Sequence, residues 1–90
     1  MMTGMLYHFP RTRFVDENSI YDQVRHIMQE TAEAEQEFDN PSCHLLAQEI
    51  MDIYHSAETA LRILKEKHGV DIHELMMAVY EKNNKRGYYS

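Results

Sequence analysis

Ninety residues allow one domain at most, of a size at which a lone hydrophobic core contributes only about 3 to 5 kcal/mol, so association with further copies is expected. A hydrophobic fraction of 43% with few Gly and Pro excludes a linker or disordered tail, and a formal net charge of -6 excludes nucleic acid or an anionic membrane as the main partner. The single cysteine, Cys43, rules out an intrachain disulfide, and with no long apolar run near the start the expected location is the cytoplasm.

Residues 1–18 lack sustained periodicity, with Gly4 and Pro10 interrupting Met5, Leu6, Tyr7 and Phe9, and they read as an irregular arm. Arg11 and Arg13 offer an anion contact, although an arm clamped to the surface is the simpler reading. Residues 19–90 form the single helical domain. Its first helix is predicted from Ser19, in a capping box with Asp22, to about Phe38, where Asn40-Pro41 stops it. The predicted inward stripe is Ile20, Val24, Ile27, Thr31, Ala34 and Phe38.

A second helix is predicted from about Pro41-Ser42 to Lys67, ended by His68-Gly69, with Leu46, Ile50, Ile53, Ala57, Ala60, Leu61 and Leu64 facing the core. Val70-Asp71-Ile72 enters a third helix, in which Leu75, Met76, Val79 and Tyr80 supply the buried side before fraying at Asn83-Asn84. The fold class is all-α: an antiparallel helical hairpin with a third helix laid across it, completed by oligomerisation to a homodimer or homotetramer.

Four acids fall beside the stripes of the first two helices, as Glu30-x-x-Glu33 and Glu49-x-x-Asp52. A spacing of three puts each pair on one helix face. Glu49 lies inside the apolar arc and Asp52 at its edge, whereas Glu58 and Glu66 point away as solvated charges. A buried, unpaired carboxylate costs several kcal/mol, so Glu49 needs a cation, a hydrogen-bond partner or a raised pKa. With Glu30, Glu33 and Glu37 facing it, the set makes an oxygen-rich cluster suited to Mg²⁺ or Mn²⁺, which retain waters and take phosphate oxygens as further ligands. The spacing equally allows a solvated flank, with Glu49 paired to a lysine or arginine at a subunit interface.

The blocks Gln29-Glu30-Thr31-Ala32-Glu33 and Glu49-Ile50-Met51-Asp52, followed by Lys82-Asn83-Asn84-Lys85-Arg86-Gly87-Tyr88-Tyr89, resemble the all-α nucleoside triphosphate pyrophosphohydrolases of the MazG type, which include small stand-alone bacterial and phage forms. The likeness covers about residues 20–89. That family carries Glu-Glu-x-x-Glu on one helix and Glu-x-x-Asp on the next, and tends to close with Lys-Asn…Arg. Here Gln29 replaces the first acid, which removes one charge and puts a second metal in doubt.

The resemblance implies water attack on the α-phosphorus of an NTP or dNTP, releasing the monophosphate and pyrophosphate. It implies that Glu30, Glu33, Glu49 and Asp52 hold Mg²⁺ (Mn²⁺ also suits), that Glu33 or Glu49 takes a proton from the water, and that Lys82, Asn83 and Arg86 meet the phosphates, with Lys82 offsetting charge on the leaving group. Without the family match, the basic C-terminal turn is simply favoured by the helix dipole.

Asp52-Ile53-Tyr54-His55 also resembles the Asp-Leu-x-Tyr-His stretch of the phosphoribosyl-ATP pyrophosphohydrolases, which share the helical fold, and this is the alternative substrate class. A non-catalytic helical module with a degenerate metal site is the alternative from another class, made credible by Gln29. His44 and His55 read as the outer face of the second helix and no zinc spacing joins the histidines to Cys43, while Tyr88-Tyr89 and Met76-Met77 read as packing groups.

Overall fold

The structure, a computed structural model, describes residues 7–89; Met1, Met2, Gly4, Met5 and Leu6 of the arm lie outside the described residues. Four helices follow in order: α1 (Phe14–Glu17), α2 (Ile20–Glu35), α3 (His44–His68) and α4 (Ile72–Lys85). The described residues contain no strand. Local chemistry sets the boundaries. Ser19 caps α2 by accepting from Asp22 N at 3.1 Å, while the Asp22 side chain accepts from Ser19 N, closing the capping box. Gly69, at φ 70°, ends α3 in the left-handed conformation, and Asp71 starts α4 by accepting from Glu74 N at 3.0 Å.

The principal packing is α2 on α3, an antiparallel hairpin, with α1 against α3. The buried hydrophobic residues are few and small: Val15, Ala34, Ala60, Ile63 and Ile72. Two expectations change here. The inward face of α2 is built on Gln23, Ile27, Glu30 and Ala34, a seven-residue period, while Val24 is 45% exposed and Phe38 66% exposed. And α4 does not lie across the hairpin: of its residues only Ile72 is buried, so Leu75, Met76, Val79 and Tyr80, expected inside, face outward in the single chain. The α2 stripe is amphipathic as read, but its apolar edge is turned away from its own core.

The arm is clamped along α3 by a row of residues at helical spacing. Glu58, only 5% exposed, accepts the backbone N–H of His8 at 2.7 Å and of Phe9 at 2.9 Å. Arg62 donates to Phe9 O at 2.8 Å and covers the Tyr7 ring, and Arg11 bridges Glu66 and Asp16 at 2.8 and 2.7 Å. Glu58 and Glu66 are therefore anchors for the arm rather than free solvated charges. Periodicity alone missed this because the groups that cover Glu58 come from a segment without periodicity. The same row corrects His55: it sits under Phe9, rings stacked 4.2 Å apart at 15°, and not on an outer face.

Candidate functional site

The hairpin puts polar residues of α2 opposite polar residues of α3. On α3, Glu49, Asp52, Ser56 and Thr59 recur every three or four residues, which places them on one face; on α2, Gln23 and Glu30, seven residues apart, share a face, and Glu37 follows in the turn just beyond the helix. Where these faces meet, a cavity of about 170 Å³ opens, with Glu30 and Asp52 on its wall beside His26, His55, Phe14 and Thr59.

Its floor is a hydrogen-bonded chain. Asn18 Nδ2 donates to Gln23 Oε1 at 2.9 Å, and Gln23 Nε2 donates to the Ser56 carbonyl at 3.1 Å. Ser56 Oγ in turn donates to Glu30 Oε1, and the other Glu30 oxygen lies 3.6 Å from His26 Nε2. Gln23 and Ser56 are buried, so satisfied bonds of this kind are what permit polar groups at a helix interface. The result holds the Glu30 carboxylate in one orientation.

Beyond the cavity, toward the α2–α3 loop, the carboxylates crowd. Burial first, and then the negative charges of Glu33, Asp52, Glu37 and Glu30, push the Glu49 carboxyl above the usual carboxylate range. Glu30, Glu33 and Asp52 thus lie near enough for their charges to act on Glu49. The carboxylates of Glu33, Glu49 and Asp52 have no ion pair or side-chain hydrogen bond among the described residues, so none of those residues is the lysine or arginine partner that would make Glu49 a plain structural charge.

The donor set fits a hard divalent cation in charge and chemistry, being carboxylate oxygens in excess with no covering base. Among the described residues, no three His, Cys, Asp or Glu side chains are gathered into a ready coordination sphere. Glu33 and Asp52 are exposed, so rotamer changes at these two positions are what would draw the set together.

Lys82, Asn83 and Arg86 stand apart from this site. Lys82 is exposed and Asn83 half-buried on the last turn of α4, Arg86 is exposed at its C-cap, and none of them lines the cavity; Arg86 instead covers the Tyr88 ring at 4.9 Å, and Tyr89 stacks on Tyr80 at 5.0 Å. Gln29 is exposed on the far side of α2, next to Met28 and Ala32, and does not join the acid row.

Sequence reasoning did not single out Phe14, Ser56 or Thr59. The signal for Ser56 and Thr59 was present as a polar line continuing from Glu49 and Asp52 at helical spacing, whereas Phe14 enters from a one-turn helix that no pattern announces. Comparison of the chain with protein-family models, with curated proteins and with solved structures finds no match.

Proposed function

We propose that this chain is a Mg²⁺-dependent nucleotide pyrophosphohydrolase of the MazG-like kind, with Mn²⁺ as a substitute ion, acting on an NTP or dNTP as a homo-oligomer. The observation that carries the reading is the gathering of Glu30, Glu33, Glu49 and Asp52 across the hairpin, with no lysine or arginine paired to them among the described residues, at the mouth of a cavity. Like charges so placed oppose folding, and a cation relieves that cost.

In this reading Glu30, Glu33, Glu49 and Asp52 hold the ion. When bound, it supplies charge neutralisation for a triphosphate and a lowered pKa for a water. Ser56 and His26 keep the Glu30 carboxylate turned toward the groove, so that one of the four donors is set before substrate arrives. Glu49, half-buried among like charges that raise its pKa, is suited to accept the proton of an attacking water, with Glu33 as the other candidate. Lys82, Asn83 and Arg86 belong to the site through assembly: α4 of a second copy, whose apolar face is uncovered, carries their charge to the acid row, where it meets the phosphates.

The test is pyrophosphate release from a panel of canonical and modified nucleoside triphosphates with Mg²⁺ or Mn²⁺, phosphoribosyl-ATP included. The expected result is turnover that disappears with chelator and in Glu49→Gln. No release from any member of the panel by a folded, metal-loaded protein would overturn the reading in favour of a non-catalytic helical module.

A further inference from the structure

The cavity beside the acids has a composition that the phosphate chemistry does not require. Phe14, His26 and His55 offer flat rings, with Phe14 and His26 at 6.0 Å and His55 braced from behind by Phe9. Its polar groups are held in place. Gln23 is fixed at both ends of its amide by Asn18 and by the Ser56 carbonyl, which leaves one N–H and one lone pair in a set direction. Thr59, itself buried, shares a single hydrogen bond with Thr12 at 3.3 Å, so hydroxyl capacity remains there too. His55 Nε2 is buried and has no hydrogen-bond partner, a state that costs free energy unless something polar completes it.

Position and size narrow the occupant. Along α2 the cavity runs from Gln23 to Glu30, and Glu33 follows one turn, about 5 Å, further on, so a base in the cavity leaves its sugar and phosphates beside the acids. A cavity of roughly 150 Å³ is known to accommodate benzene. At about 170 Å³, this one matches a six-membered heterocycle with its substituents and falls short of the volumes, from about 300 Å³, that enclose larger ligands.

We propose that this cavity is the base pocket, that it takes a single-ring pyrimidine base against Phe14 and the two imidazoles, and that Gln23, Thr59 and His55 read its edge. The proposal rests on the pyrophosphohydrolase reading for the placement of the phosphates, but binding of the base needs neither metal nor turnover. The arm is then part of the specificity apparatus, since Phe9 sets the ring plane of His55 and Thr12 closes one wall.

The test is a titration of the full chain with neutral nucleosides, deoxycytidine and thymidine against deoxyadenosine, in metal-free buffer, followed by NMR. Shifts are expected at the His26 and His55 imidazoles and at the amides of Phe14 and Thr59, with the pyrimidines bound about tenfold more tightly than deoxyadenosine. Phe14→Leu, and separately Thr59→Val, each checked for fold by its amide spectrum, are expected to weaken pyrimidine binding by about tenfold.

Equal or tighter binding of deoxyadenosine, shifts centred elsewhere such as on α4, or no shifts at tens of millimolar nucleoside would overturn the proposal. The two readings fail separately. Pyrophosphate release indifferent to the base removes the pyrimidine pocket and leaves the hydrolase, whereas selective pyrimidine binding without turnover keeps the pocket and removes the hydrolase.

Discussion

Two glutamates on α3, nine residues apart, show how environment gives one side chain type opposite behaviour. Glu49 is surrounded by like charge, and its raised pKa means that the folded protein resists its ionisation. Replacing it by glutamine should therefore raise the Tm of the metal-free protein at neutral pH while abolishing the further stabilisation by Mn²⁺ that the intact chain should show. Thermal scans with and without Mn²⁺ measure both, and a variant less stable than the parent without metal would contradict the crowding argument. Glu58 behaves in reverse. Burial raises its pKa, but the N–H groups of His8 and Phe9 and the His8 side chain lower it further, and the net direction is down. A depressed carboxylate contributes stability above its unfolded value, ordinarily 4.5, and loses that contribution as the pH falls through the folded value. The arm should accordingly detach as the pH falls through the folded value of Glu58. Glu58→Ala should reproduce this at neutral pH, costing about 2 to 4 kcal/mol through two orphaned backbone donors. Amide exchange at His8 and Phe9 reads the effect, and protection unchanged in the variant would show that the clamp lies elsewhere.

Among the elements, α3 is the spine on which the arm, α1 and α2 all pack, and its two ends differ in kind. At the C-terminal end Gly69 adopts φ 70° with open space where a Cβ would point, so the objection to a side chain there is backbone conformation and not crowding. Gly69→Ala should cost about 1 kcal/mol in urea denaturation, and Gly69→Asn less, because asparagine tolerates the left-handed region. Equal losses for the two would point to a steric cause instead. Signals at three helix ends were legible in the sequence: Ser19 with Asp22, Gly69 and Asp71 each act locally, and a local signal survives whatever the chain packs against, whereas α2 stops at Glu35, short of Phe38 and of the Asn40-Pro41 expected to end it. That Glu30 and Asp52 share the groove between the two helices was legible for the same reason, since the spacing fixed the faces and the short loop fixed the hairpin. What periodicity could not decide was which face of α2 turns inward. A helical wheel locates apolar residues, but it does not say whether they are covered by their own chain, and Val24, Met28 and Phe38 are not. Glu58 and His55 were misread because their partners come from the aperiodic arm.

At the scale of the whole molecule, the single chain leaves more surface uncovered than a compact chain of its mass. The accessible surface is 6943 Å², whereas a compact monomer of 10.7 kDa has roughly 5,500 Å². The radius of gyration is 15.1 Å against about 12 Å for a compact chain of this length. The surplus surface is of the size that one partner loses in an ordinary protein interface, about 800 Å² or more. Its apolar part is concentrated where α4 exposes Leu75, Met76, Val79 and Tyr80 around a cleft shared with Leu61 and Ile72. If a second copy covers that face and its α4 supplies Lys82 and Arg86 to the acids of the first, two crippled chains can repair each other. In a two-fold dimer of Glu49→Gln with Arg86→Ala, one composite site combines both substitutions while the other is wholly intact. Mixing the two inactive variants in equal amounts, with time to exchange subunits, should therefore restore pyrophosphate release to about a quarter of the parental level, since about half of the dimers are mixed and each has one good site. Sites contained within single chains would give no recovery, because every chain in the mixture carries a lesion. Sedimentation of the parent fixes the assembly in the same buffer, and a monomer at working concentration would remove both the shared site and the explanation offered for the exposed α4 face.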